Sequence, residues 1–245
     1  MQATELADET DGRVAADRIV ADIRTGVLAP GQKLRVTELR DRYGIGASPL
    51  REALSLVTSL GYATAESHRG YRVAEVSAAD LADITRAREI IETGMLRESM
   101  LAHNDEWAIG IVTARERLRR LAVKSPPGRM DASEFIRSAH KQLHIALVAG
   151  CASKRLAGMQ SLLFDQAGRY RDIMIGKVPS PQHFFETHEA LVQTVLSGDV
   201  EKACEELREH LRRTLNAVYM EADISANPTG HARDLDPEAA SPHVT

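Results

Sequence analysis

From Val14 to Val76 three short amphipathic helical patterns lead into two strand-like runs, and that order restricts the fold more than any other feature of the chain. Ala16, Ile19, Val20, Ile23 and Val27 share one helical face, the spacing of a buried stripe. This helix stops at the turn from Gly26 to Pro30-Gly31. A second short helix, about Thr37 to Tyr43, is broken by Gly44. A third begins near Ser48-Pro49, where serine suits a cap and proline suits the first turn. It buries Leu50, Ala53, Leu54, Val57 and Leu60 and ends at Gly61. Tyr62 to Glu66 and Tyr71 to Val76 then read as a two-stranded hairpin joined by Ser67-His68-Arg69-Gly70. Three helices closed by a hairpin with a basic tip make a winged helix-turn-helix, a shape suited to reading DNA.

Charge supports this division. The net charge of the 245 residues is −4, yet residues 13–76 hold ten Lys/Arg against seven Asp/Glu. Residues 1–12 hold four acids and no base, and are expected as a disordered tail. A mildly basic head on an acidic body can bind DNA through local placement of charge. Cys151 and Cys204 stand apart with no CxxC, which reads as reduced thiols of a cytoplasmic protein. No run reaches the length of a membrane helix, so no membrane partner is expected.

After Ser77 the pattern is helical throughout. Helices are expected at about 77–102, 104–123, 132–149, 154–175, 182–196 and 200–220, punctuated by Ser125-Pro126-Pro127-Gly128, Gly150, Gly176 and Ser197-Gly198-Asp199. Residues 222–245 are polar and proline-containing, and are expected to be disordered. The predicted fold is therefore mainly α. A winged helix-turn-helix at 13–76 precedes an all-α antiparallel helical bundle at 77–221 that can enclose a cavity.

Four of the nine histidines fall on inward faces of these helices. His140 and His144 are one turn apart, on the side that carries Ile136, Leu143 and Leu147. His188 lies with Leu191, Val192 and Val195, and His210 with Ala203, Leu207, Leu211 and Thr214. Each buried imidazole needs a polar partner. One divalent metal satisfies all four, and a hydrogen-bonded polar cluster without metal is the other reading.

The string PGQKL, with Thr37-Glu38-Leu39, Tyr43 to Leu54 (YGIGASPLREAL), Gly61 and Arg69-Gly70, resembles the N-terminal domain of the GntR family of bacterial transcription regulators. Arg88 to Glu92 (REIIE), Leu143 to Leu147 (LHIAL) and Thr187 to Leu191 (THEAL) with Ser197-Gly198-Asp199 resemble the FCD effector domain of that family's FadR-like branch. Six helices rather than seven point to the VanR-type subgroup. Metal-binding FCD domains hold the ion with one Asp and three His, the Asp four residues before the first His. His144, His188 and His210 match the three histidines, and His140 stands where the family has Asp. That exchange removes a negative charge and implies zinc, with nickel second.

The resemblance also implies the reading residues. Arg51, one turn into the third helix, is expected to contact a base, most simply guanine. Ser48, at the helix N-terminus, suits a phosphate or a base. Thr37 occupies a family contact position. Arg69 and Gly70 form the wing tip, for the minor groove or a phosphate. Where most relatives have Ser-Arg-Thr-Pro this chain has Gly46-Ala47-Ser48-Pro49. Ala47 therefore lacks a major-groove arginine, though its methyl can meet a thymine methyl. Arg35, Arg40 and Arg42 are phosphate neutralisers or merely solvated.

The expected function is a ligand-responsive DNA-binding regulator, a repressor released by a small carboxylate effector near the metal. Arg88 and Arg169 either pair with such an acid or lie on solvated faces. The expected partners are an inverted-repeat DNA operator, the small organic acid and a second copy in a homodimer. The alternative is a metal-dependent hydrolase or lyase carrying a DNA-binding domain. No enzyme is expected, because His140-Lys141-Gln142-Leu143-His144 lacks the glutamate of the metalloprotease motif and no GxSxG is present. A purely architectural DNA-binding protein would have no use for a buried histidine cluster.

Overall fold

The computed structural model describes residues 2–66, 70–102, 104–124, 134–175 and 181–220. The head is built from α1 (Gln2–Arg24), α2 (Val36–Tyr43) and α3 (Ala47–Ser59). Ile19, Leu50, Leu54 and Val57 meet in its core, so the apolar stripes read from the sequence face one another. Gly44 ends α2 in the left-handed conformation, φ 68°, and its N–H bonds back to the Arg40 carbonyl, a cap that glycine adopts without steric cost.

The head departs from expectation in five places. Helix α1 begins at Gln2, so residues 2–12, expected as a tail, are described as helix; no proline intervenes there, and Ala3, Glu5, Leu6, Ala7 and Glu9 are good helix formers. Val27 lies beyond the end of α1 and is 49% exposed, while Leu28 takes the buried place once the turn breaks helical phase. Gly46 is the N-cap of α3 and makes no side-chain cap bond, so Ser48 sits within the first turn rather than capping it. The hairpin also gains a third strand. β1 (Lys33–Leu34), β2 (Ala63–Glu66) and β3 (Gly70–Val73) form an antiparallel sheet of order β1-β3-β2, with Leu34 opposite Tyr71 and Glu66 opposite Gly70. Two residues carry no readable period, which is why β1 escaped the sequence. β3 also stops at Val73, short of the expected Val76. Arg69, the expected wing-tip contact, lies outside the described residues.

The body has six helices among the described residues: α4 (Ala78–Leu101), α5 (Asp105–Lys124), α6 (Glu134–Leu147), α7 (Lys154–Ile175), α8 (Pro181–Ser197) and α9 (Val200–Leu215). Ser77 caps α4 by accepting from the Asp80 N–H, and Asp199 caps α9 by accepting from the Lys202 N–H. The expected sixth helix is shorter, because residues Asn216–Met220 form a π-helical turn. Leu96, Ile111, Leu118, Leu143, Val192 and Leu207 centre the core. Glu89 accepts two bonds from Arg212, 2.6 and 3.0 Å, tying α4 to α9. Cys151 and Cys204 are buried free thiols. No helix of the described residues is long and apolar enough to cross a membrane.

Head and body meet on α7. The Tyr62 hydroxyl donates to the Asp165 carbonyl at 2.8 Å and accepts from Arg24 Nε at 3.2 Å. Gly61, φ 76°, faces Gln166 so closely that an added Cβ would lie 2.6 Å from its Nε2. Arg169 donates to Asp80 Oδ2 at 3.2 Å and to the Glu75 carbonyl at 3.4 Å. The Tyr170 hydroxyl donates to the same Asp80 oxygen at 2.5 Å. A half-open cleft of about 370 Å³ lies beside this joint, lined by Gly61, Arg72, Ser77, Gln166 and Arg169 among others.

Candidate metal centre

Three helices bring the four histidines together because each carries its imidazole on the same face as its core leucines. His140 and His144 project from α6 beside Ala139, Leu143 and Leu147. His188 comes from α8 beside Leu191 and Val192, and His210 from α9 beside Leu207 and Leu211. The ring centroids of His140 and His144 are 4.7 Å apart, those of His140 and His188 4.7 Å, and those of His188 and His210 4.5 Å. One nitrogen from each of the four rings lies within 4.8 Å of the others, a group that could hold a metal ion. Phe164 and Phe184 close two sides, their centroids 5.2 and 5.1 Å from that of His140.

The chemistry of the donor set fits a metal. His140 Nε2, His188 Nε2 and His210 Nδ1 are buried and have no hydrogen-bond partner among the described residues. His188 Nδ1 lies 2.6 Å from the Phe184 carbonyl oxygen. A carbonyl only accepts, so the proton is assigned to Nδ1 and the lone pair to Nε2. Burial pushes all four imidazoles below their ordinary range, His188 to about 3, and the charges of their neighbours add to the effect for His140 and His210. At neutral pH the rings are uncharged and offer lone pairs. Four neutral nitrogens without a carboxylate suit zinc or nickel better than calcium or magnesium.

The sequence did not single out three further side chains at this site. Glu92 on α4 is 1% exposed. Its Oε1 accepts from Arg88 Nε at 2.6 Å, and its Oε2 lies 3.5 Å from His144 Nδ1. Burial alone would raise the Glu92 pKa, but the Arg88 charge and His144 hold it below the usual carboxylate range. Arg171 lies with its guanidinium 3.9 Å from the centre of the Phe164 ring, and Arg88 lies 5.3 Å from the same ring. Glu92 had one readable signal, its i,i+4 spacing from Arg88. Phe164 and Arg171 had none, since nothing in the sequence aims α7 at the histidines.

Arg88 and Arg169, read as alternatives between ligand contact and solvated surface, are 4% and 8% exposed, so neither is solvated. They occupy different places. Arg88 is beside the histidines, with Nη2 buried and without a hydrogen-bond partner among the described residues. Arg169 belongs to the joint, bonded to Asp80 and Glu75, and does not reach the centre through any described contact.

On the head, Ala47, Ser48 and Arg51 are exposed on α3, opposite Leu50, Ala53 and Leu54. Among the described residues Arg51 has no ion pair or hydrogen bond through its side chain. Thr37 and Gly70 are also exposed. Arg35 pairs with Glu38 at 2.6 Å and Arg40 with Asp41 at 3.7 Å. Arg42 bonds Asp22 at 3.2 Å, so its first role is to hold α2 on α1.

Comparison with known proteins agrees with this two-part anatomy. Residues 12–73 match the family described as "Bacterial regulatory proteins, gntR family", and residues 83–213 match the FCD domain. The chain is 34% identical over 194 residues to the HTH-type transcriptional repressor GlaR of Escherichia coli (strain K12), covering 78% of this chain and 87% of that protein. It is 30% identical over 201 residues to the HTH-type transcriptional regulator BphR of Paraburkholderia xenovorans (strain LB400), covering 82% of each. The fold is similar to that of E. coli McbR/YncC, with a TM-score of 0.66 at 19% identity, over 86% of this chain and 98% of that one. With a helix-turn-helix head and a histidine-centred helical body on one chain, the protein belongs to the GntR family of bacterial transcription regulators, with an FCD effector domain as its body.

Proposed function

We propose that this chain is a cytoplasmic, metal-dependent, ligand-responsive repressor, with the units 13–76 and 77–221 acting as DNA reader and sensor. The carrying observation is the convergence of unpartnered imidazole nitrogens inside the body. One divalent ion, zinc first and nickel second, would be held by His140, His144, His188 and His210. When bound, such an ion supplies a Lewis-acid anchor for a carboxylate. Arg88, through Nη2, is the cation available to a second acidic group of that effector.

Helix α7 supports coupling between sensor and reader. It presents Phe164 and Arg171 to the centre, and Asp165, Gln166 and Arg169 to the head. Lys141, next to His140, also pairs with Asp165 Oδ2 at 2.6 Å. A shift of α6 against α7 would thus be felt at Tyr62. The DNA contacts are assigned to Arg51, Ser48, Thr37, Ala47 and Gly70, with Arg69 and Arg35 contributing at the backbone. A single small head buries little surface, so an inverted repeat read by a homodimer follows. Exposed Ile90 and Leu101 on α4, with Ile109 and Val123 on α5, are apolar surface available to a second copy. The six-helix body favours the VanR-type subgroup. The hydrolase or lyase alternative has the regulator family of the chain against it.

The test is a thermal-shift screen of small mono- and dicarboxylates on metal-loaded protein, followed by operator titration with and without each hit. The expected hit weakens operator binding about 5–150-fold, a coupling of about 1–3 kcal/mol. A hit that stabilises the body but leaves operator affinity unchanged would detach the cavity from regulation.

A further inference from the structure

The four-nitrogen set of His140, His144, His188 and His210 has no anion of its own. The structure nevertheless holds one carboxylate against it. Glu92 reaches the centre from α4, a helix that contributes none of the four histidines. It is fully enclosed, and its two oxygens are divided between two partners. Arg88 Nε donates to Oε1, and His144 Nδ1 stands 3.5 Å from Oε2. That second distance is just beyond a hydrogen bond, and His144 Nδ1 has no hydrogen-bond partner among the described residues. A slight rotation of either side chain closes the gap.

We infer that Glu92 is a positioning residue for the metal centre: it accepts the Nδ1 proton of His144 and supplies beside the site a negative charge that the four imidazoles lack. The inference rests on the metal reading of the histidines and adds to it. Metal-bound imidazoles commonly donate their second nitrogen to a carboxylate, which fixes the tautomer and makes the ligating nitrogen more basic. With Nδ1 committed to Glu92, His144 offers Nε2 to the ion. Glu92 lies outside the group of nitrogens that approach within 4.8 Å of one another, which places it behind His144 rather than among the ligands. Arg88 anchors the carboxylate through Nε, and that bond fixes which oxygen faces the ring. A buried carboxylate with only an imidazole for company would be costly to keep ionised, so the arginine completes the device.

The experiment measures zinc and cobalt affinity by competition with a chelator of known strength, on the full chain. Glu92→Gln keeps the shape and removes the charge. It also leaves Arg88 buried without its counter-ion and can unfold the body. The paired variant Arg88→Met with Glu92→Gln removes both charges together and serves as the second protein in the comparison. The expected result is a folded paired variant that still takes one ion per chain with affinity weakened about 10–100-fold. Its cobalt spectrum should keep the intensity of the parent and shift only slightly. Parent affinity in the folded paired variant would show that the Arg88–Glu92 pair is only a structural ion pair, and would overturn the inference. A far larger loss with a new cobalt coordination spectrum would make Glu92 a ligand, which overturns the positioning role as well. Failure of the parent chain itself to bind metal would overturn the metal reading, and this inference with it.

Discussion

The body and the head place their chemistry on opposite sides of the protein surface. The body buries three imidazoles, half-buries a fourth, and sets Arg88, Arg171 and Glu92 with them among leucines and phenylalanines; several of the imidazole nitrogens are left unpartnered among the described residues. The head buries an almost wholly apolar core and sets Thr37, Ala47, Ser48 and Arg51 out in solvent. Under the proposed function, the difference follows from the size of what each would hold. A small ion or acid can be enclosed, and enclosure strengthens every electrostatic contact made to it. A DNA duplex cannot be enclosed, so its contacts must wait exposed. Between the two, the joint has its polar groups largely satisfied within the protein, through Tyr62, Asp165, Arg169 and Asp80.

The largest effect should come from emptying the body. Protein stripped with a chelator is expected to lose about 3 kcal/mol against protein holding metal at a hundredfold excess over its dissociation constant. For a chain of this size that is roughly 5–10 °C in melting temperature, and calorimetry before and after adding zinc back reads it directly. An unchanged melting temperature in both directions would make the histidines an ordinary polar core and erase the contrast with the head.

Next in size is Arg51→Ala, which should cost about 1–3 kcal/mol on a specific operator and relax sequence preference at one position. Its melting temperature should stay at the parent value, because Arg51 supports nothing among the described residues. The converse holds for His144→Ala, which should lower metal content and melting temperature while the metal-free head keeps its sequence preference. Anisotropy titrations on matched and mismatched duplexes separate the two. If either variant moves both readouts, the division of labour fails.

A smaller change is expected at the joint. Tyr62→Phe removes one hydroxyl that serves both Arg24 and Asp165, at about 1 kcal/mol of stability. The more telling readout is the effector's influence on operator affinity, which should shrink although metal and DNA binding each persist. Full coupling in this variant would route communication around Tyr62. The smallest effect belongs to Arg35→Ala. Its charge is already shared with Glu38 on the surface, so operator affinity should fall by less than about 1 kcal/mol, with the salt dependence shallower by at most about one phosphate contact.

Legibility followed the same division. The histidine centre could be read from the residues themselves, because His140, His144, His188 and His210 each keep step with core leucines, and helical period alone turns them inward. The face of α3 proposed to read DNA had no such signal. Arg51 is one exposed arginine among several, and only its place in the family's string singles it out. Glu92 stayed hidden for the opposite reason. A glutamate beside an arginine one turn away looks like a surface pair, and nothing local to α4 shows that α7 and α9 cover it.

The sequence by itself determined most of the helices, their order, the helix start at Ser77 and the inward phase of the histidines, since each depends on spacing within a single element. It fell short where an outcome depended on elements far apart in the chain. The two-residue strand β1 exists because β3 lies beside it. Arg88 and Arg169 looked equivalent until α7 carried one to the joint and packing left the other at the centre. The carboxylate behind His144 comes from a helix two elements earlier in the chain. Burial, pairing and charge balance are properties of neighbours in space, and the tertiary fold alone chose those neighbours.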